Sequence, residues 1–164
     1  MAAEYSANAV QIVAANAPVI FSESPVPCNR GLIFHRDESG IFRLASNVPC
    51  SCNVSSCGCR RMYETRYQVT FHANISLPTE PAGTVEPISL AIAIDGETDP
   101  SSIMTVTVPL VSDTAGDNVG ADIIVAVPSI CRCNSVSVRN ISTQPINVQN
   151  ANIVFDYTGT ARIA

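Results

Sequence analysis

Four cysteines within ten residues, Cys50-x-Cys52-x4-Cys57-x-Cys59, form the densest cluster of reactive side chains in the sequence. Four thiolates that close together have the number and softness of donors for a tetrahedral zinc ion, and they equally suit a short loop closed by disulfides. The spacing lacks the C-x2-C knuckle of ordinary zinc sites, and Cys131-Arg132-Cys133 repeats the C-x-C step far away in the chain. Disulfides or structural thiols are therefore expected at Cys50, Cys52, Cys57, Cys59, Cys131 and Cys133, with zinc on the first four as the rival. Seven cysteines is an odd count, so Cys28 or another thiol must stay unpaired or pair between chains.

The remaining candidates for chemistry are sparse. His35 and His72 are the only histidines, each inside a strand pattern and neither beside a recognisable nucleophile or carboxylate motif, so a structural role is expected for both. Asp95, Glu97 and Asp99 resemble an acidic calcium loop but lack the glutamate at the twelfth position that completes such a loop, and a charged turn explains them better. No G-x-S-x-G, phosphate-cradling glycine loop or H-E-x-x-H is present. Asn53, Asn74 and Asn140 open glycosylation sequons, which carry no weight where no secretion signal is seen. These observations predict a protein that is not an enzyme and has no catalytic residue and no cofactor.

Composition narrows the class further. Only 14% of the 164 residues are charged, there is no lysine, and the net charge is −5. An acidic chain has no general electrostatic grip on nucleic acid or an anionic membrane, and no apolar stretch approaches the roughly 20 residues that span a bilayer. So few charges mean a surface built from Ser, Thr, Asn and Gln, or one partly buried in an assembly. Synthesis in the cytoplasm of a host, without a secretion signal, fits a virion protein released by lysis.

The elements that would position these residues are strands. Tyr67, Val69, Phe71, Ala73, Ile75 and Leu77 alternate with polar residues, the period-two pattern of a strand with one buried face. Across a Pro/Gly/Glu loop, Ile88, Leu90, Ile92 and Ile94 alternate with Ser89, Ala91 and Ala93; this second, small apolar face makes Ala91 and Ala93 the candidates for a subunit contact. Residues 1–13 are expected to form an N-terminal arm and first strand, and residues 14–164 one domain with a Cys-rich insertion at 46–61. Asp37-Glu38-Ser39-Gly40 marks a hairpin turn, with Gly40 as the residue of positive φ. The apolar parity shifts between Val148 and Ile153, which predicts a β-bulge inside residues 148–152. About ten short strands and no convincing helix predict an all-β sandwich or jelly roll.

Several segments also resemble a known family. Tyr67-Gln68-Val69-Thr70-Phe71 through Asn74-Ile75-Ser76, then Pro87 to Glu97, Ala126-Val127-Pro128, Ser137-Val138-Arg139-Asn140 and Gln144-Pro145-Ile146-Asn147-Val148-Gln149-Asn150-Ala151-Asn152 resemble small structural proteins encoded near the capsid genes of phages and prophages of gram-positive gut bacteria. The resemblance covers roughly residues 10 to 157 and is most specific in the last motif. It departs at residues 46–61, where the family has a short loop, and at Cys131-Arg132-Cys133, where it has adjacent cysteines. The strand order is similar to the jelly roll of the tumour necrosis factor and complement globular-head superfamily, which implies a compact homotrimer. The resemblance thus implies a decoration or head-fibre protein on the capsid surface, partnered by the major capsid protein or other virion proteins. The alternatives are a head that binds a host receptor or glycan, and a disulfide-stapled spore-surface or filament subunit.

Overall fold

The computed structural model describes residues 1–28, 31–48, 63–129 and 133–163. Twelve strands and one 3-10 turn are found there: β1 (Ala2–Ala7), β2 (Gln11–Val13), β3 (Glu23–Val26), β4 (Ile33–His35), β5 (Phe42–Leu44), β6 (Tyr63–Ser76), β7 (Ile88–Ile94), β8 (Glu97–Thr98), the 3-10 turn Pro100–Ser102, β9 (Met104–Val106), β10 (Asp117–Pro128), β11 (Asn134–Asn140) and β12 (Ile146–Arg162). They make two six-stranded sheets. The first runs β10-β6-β12-β1-β3 with β2 also on β12; the second runs β4-β5-β11-β7-β8 with β9 also on β7. Strands distant in sequence lie side by side, β1 on β12 and β5 on β11, which is the crossing connectivity of a jelly roll. The predicted all-β jelly-roll sandwich is what the chain forms.

Period-two alternation explains which residues close the core. On β6, Thr65, Tyr67, Val69, Phe71, Ala73 and Ile75 point inward and are fully buried, while their alternate neighbours face outward. Phe42 is the hub of the inter-sheet layer. Its ring lies 4.9 Å from that of Tyr5 on β1, 4.8 Å from Phe155 on β12 and 5.3 Å from Phe21, in tilted or edge-on arrangements. Burying such a side chain is worth about 1.5–3 kcal/mol, and each aromatic pair adds ~0.5–1.5 kcal/mol.

Three expectations need correcting. Residues 1–13 hold strands, as expected in part, but no free arm: β1 sits between β12 and β3 within its sheet, and Ala3, Tyr5, Ala7 and Val13 are all buried. Short, polar composition concealed it, because alanine and tyrosine fill the inward positions in place of branched residues. The hairpin turn takes its positive φ at Glu38 (59°), not at Gly40. Gly40 is there for space, since a Cβ at that position would lie 2.6 Å from Pro18 Cβ and 2.7 Å from the Val19 carbonyl. Ala91 and Ala93 have no accessible surface in the single chain. A residue already covered by its own chain has no area to give to a partner.

The bulge is in the predicted place. The register of β12 against β6 slips between Gln149 and Asn152, and Asn150 has φ 51°. This slip keeps Val148 and Ile153 both in the core.

Candidate functional site

Strand alternation also decides which side chains reach solvent, and the two outer faces differ. On the first sheet one row across the strands reads Asp122, Thr70, Val154, Glu4 and Val26, and the next reads Gly120, His72, Asn152, Ser6 and Glu23. The polar groups on this face bond to one another. Asp122 accepts from Gln68 Nε2 at 2.8 Å and Thr70 Oγ1 at 3.0 Å; Glu4 accepts from Asn152 Nδ2 at 2.6 Å; Glu23 accepts from Ser6 Oγ at 3.2 Å and Asn8 Nδ2 at 3.1 Å; and Asn74 Oδ1 accepts from Asn118 Nδ2 at 3.1 Å. Ile124, 57% exposed on β10, stands in register with Gln68 and Asp156. His72 is exposed on this polar face.

The second sheet's outer face is different at its β4–β5 edge. Phe34 pairs in register with Arg43, and Arg36 and Ile41 flank the strands on the side of the turn. These four, with His35 and Ser39, line an open depression of about 410 Å³. All four are exposed, Phe34 by 52% and Ile41 by 47%. No carboxylate lines it, and neither Arg36 nor Arg43 enters an ion pair among the described residues. Its floor is held in place by the core. The His35 ring stacks on Phe42 at 4.4 Å and 18°, and His35 Nε2 lies 2.9 Å from the Ser39 carbonyl. A carbonyl can only accept, so Nε2 carries the proton. Nδ1 is buried with no hydrogen-bond partner among the described residues.

At the end of the sandwich where β2, β6, β11 and β12 meet the loops, polar side chains act as struts. Asn140 is fully buried; its Nδ2 donates to the Val13 carbonyl at 3.0 Å and the Gln144 carbonyl at 2.9 Å, and its Oδ1 accepts from Ser142 N at 2.9 Å. Asp113 accepts from the Thr79 hydroxyl, from Thr79 N at 3.1 Å and from Asn147 Nδ2 at 2.9 Å. Those hydrogen bonds, Thr79's first, hold the Asp113 carboxyl below its ordinary range. At the other end Tyr67 donates to the Ala45 carbonyl at 2.6 Å, and its burial pushes the phenol well above its usual range. Thr65 Oγ1 accepts from Asn47 N at 2.8 Å and bonds the Ser46 hydroxyl at 3.0 Å. Tyr67 and Thr65 therefore pin the chain where it enters the Cys-rich segment.

Of the predicted cysteine sites, Cys50, Cys52, Cys57, Cys59 and Cys131 lie outside the described residues, and so does the rival zinc site on the first four. Cys133 is described, and it is an exposed free thiol rather than half of a disulfide. The acidic turn is a turn: Asp95 (φ 52°) and Gly96 (φ 88°) link β7 to β8, while Asp95 accepts from Ser135 N at 2.7 Å and Asn134 Nδ2 at 2.8 Å. Asp99 likewise accepts from Ser101 N at 2.8 Å and caps the 3-10 turn. Sequence reasoning missed the Phe34, Arg36, Ile41 and Arg43 group. The signal was an apolar residue and an arginine alternating on both arms of a hairpin, which reads as ordinary strand patterning until the register places all four on one face.

No protein-family model and no curated protein matches the chain. Among solved structures, the globular domain of zebrafish complement 1qA is similar at 10% identity, covering 98% of each chain with a TM-score of 0.50. Murine APRIL is similar at 12% identity, covering 94% of this chain and 98% of that one, also with a TM-score of 0.50. A family 35 carbohydrate binding module from an environmental isolate aligns over 98% of this chain and 97% of its own, at 10% identity and a TM-score of 0.37. At such identities the first two likenesses establish the fold alone: a jelly roll of the kind found in complement and tumour necrosis factor-like heads.

Proposed function

We propose that this is a non-enzymatic virion structural protein, a decoration or head-fibre protein that sits as a homotrimer on the capsid surface. The observation that carries the assembly is the outer face of the first sheet. Its amides and hydroxyls already donate to neighbouring carboxylates, so a second copy can cover these donors without leaving them unpaired, and Ile124 on β10 gives the contact an apolar point. An acidic chain with 14% charged residues supports the same reading, since little of its surface resists burial. The virion role rests on the resemblance of residues 66–97 and 137–152 to phage structural proteins. Attachment through a free N-terminal arm is not part of the proposal, because β1 is a central strand.

Micrographs of purified particles with and without this gene product test the role. Density missing from the capsid lattice supports decoration, density missing from the tail tip favours a receptor- or glycan-binding head, and unchanged particles defeat both. The binding-head alternative draws its support from the arginine-lined depression on the β4–β5 hairpin.

A further inference from the structure

The β4–β5 hairpin differs from the hydrogen-bonded outer face of the first sheet. In a protein with net charge −5, two guanidinium groups line one depression with no carboxylate among its lining residues. The turn carboxylates Asp37 and Glu38 are exposed and neither lines the depression nor forms an ion pair with Arg36 or Arg43 among the described residues. Beside the arginines stands Phe34, half exposed, and across from it Ile41. Phe34 and Ile41 together give the depression an exposed apolar wall beside its two arginines, the kind of mixed surface that a partly apolar ligand can cover. The platform beneath is stiff, because His35 is stacked on Phe42 and tied to the turn through Ser39. A site whose walls are already fixed spends little binding energy on ordering them.

From these groups we infer that the depression binds a carboxylate-bearing sugar. Planar guanidinium forks bind a carboxylate in a paired, two-bond geometry, as they do a tetrahedral anion, so the choice between the two falls to the apolar groups beside them. The aromatic face of Phe34 matches the C–H face of a pyranose ring, and Ile41 closes the apolar side. The Ser39 hydroxyl, whose oxygen accepts from Ile41 N at 3.1 Å, keeps its own proton to donate to a ring hydroxyl. A bare phosphate or sulfate would use the arginines and leave Phe34 and Ile41 without a role. A fatty acid would need an enclosed channel, and this depression is open to solvent. The inference goes beyond the structural role and does not depend on where the protein sits in the virion.

Isothermal titration of the intact protein with a glucuronic acid-terminated disaccharide, its neutral glucose counterpart and inorganic sulfate tests it. The acidic disaccharide is expected to bind, the neutral one at least tenfold more weakly, and sulfate is expected not to displace the acidic sugar at equal concentration. Arg43→Gln and Phe34→Ala should each weaken binding at least fivefold while the thermal midpoint stays at its wild-type value, since both side chains are exposed. No binding of the acidic disaccharide, equal binding of the neutral one, displacement by sulfate, or wild-type affinity in both folded variants would overturn the inference.

Discussion

The two outer faces of this sandwich are built from the same strand geometry and end up with opposite character. On the β10-β6-β12-β1-β3 sheet, carboxylates, amides and hydroxyls stand opposite one another in register and consume each other's hydrogen-bonding capacity. On the β4–β5 hairpin, Arg36 and Arg43 share a face with Phe34 and Ile41, and no acid lies within the depression. A face whose donors already have partners loses none of their hydrogen bonds when it is covered, whereas a small unsatisfied patch is worth covering only with a group of complementary charge and shape. In the roles proposed above, the first face joins copies of the chain and the second holds a ligand.

The heaviest blow to this arrangement falls on the layer that both faces share. Phe42→Ala should cost about 3–5 kcal/mol, because it empties the space between Tyr5, Phe21 and Phe155 and removes the ring on which His35 stacks. Chemical denaturation should show the loss in the midpoint, and sugar binding should fall with it. An unchanged midpoint would mean that the hairpin is not supported from the core.

Asn140→Ala comes next. It leaves the Val13 and Gln144 carbonyls and the Ser142 amide without their partner, at a cost of about 1–3 kcal/mol by the same denaturation measurement, with no change in affinity for the acidic sugar. Asn140 N donates to the Ala17 carbonyl, and the neighbouring Pro18 lies close against Gly40 of the hairpin turn, so a change in affinity would show that this strut supports the hairpin from its turn end.

A smaller effect belongs to the Thr79–Asp113 latch. Asp113 is held below its ordinary value when folded, so its contribution is fully present above the ordinary carboxylate range and is lost as pH falls through the lowered folded value. Amide hydrogen exchange at Thr79 should therefore accelerate in acid relative to its intrinsic rate. Asp113→Asn should remove that dependence while leaving Thr70 and Gln68 unaffected.

Much of the fold was legible because it rests on a single rule. Alternation from Tyr67 to Leu77 and from Ile88 to Ile94 specifies strands wherever a face is buried, and the parity shift after Val148 specifies a bulge for the same reason. Ala2 to Ala7 hid its strand, since small residues mark an inward position only once β12 and β3 lie on either side of it. Ala91 and Ala93 misled in the opposite sense: small apolar residues on an outward face suggested a contact, but the chain covers them itself. Asn140, Gln144 and Asn147 were read as part of a recognisable motif, and their work as hydrogen-bonding struts depends on partners up to 127 residues away. The hairpin site was illegible because it exists only in the register between two three-residue strands.

Light scattering on three proteins tests most directly whether the two faces have separate roles. The wild-type protein should have a mass close to three times the 17.4 kDa of one chain. Ile124→Arg, which plants a charge in the face proposed to join the copies, should return a folded single chain; Arg43→Gln, on the opposite sheet, should keep the full trimer mass. A wild-type mass near 17.4 kDa, an Ile124→Arg protein still three chains in size, or dissociation by Arg43→Gln would contradict the account.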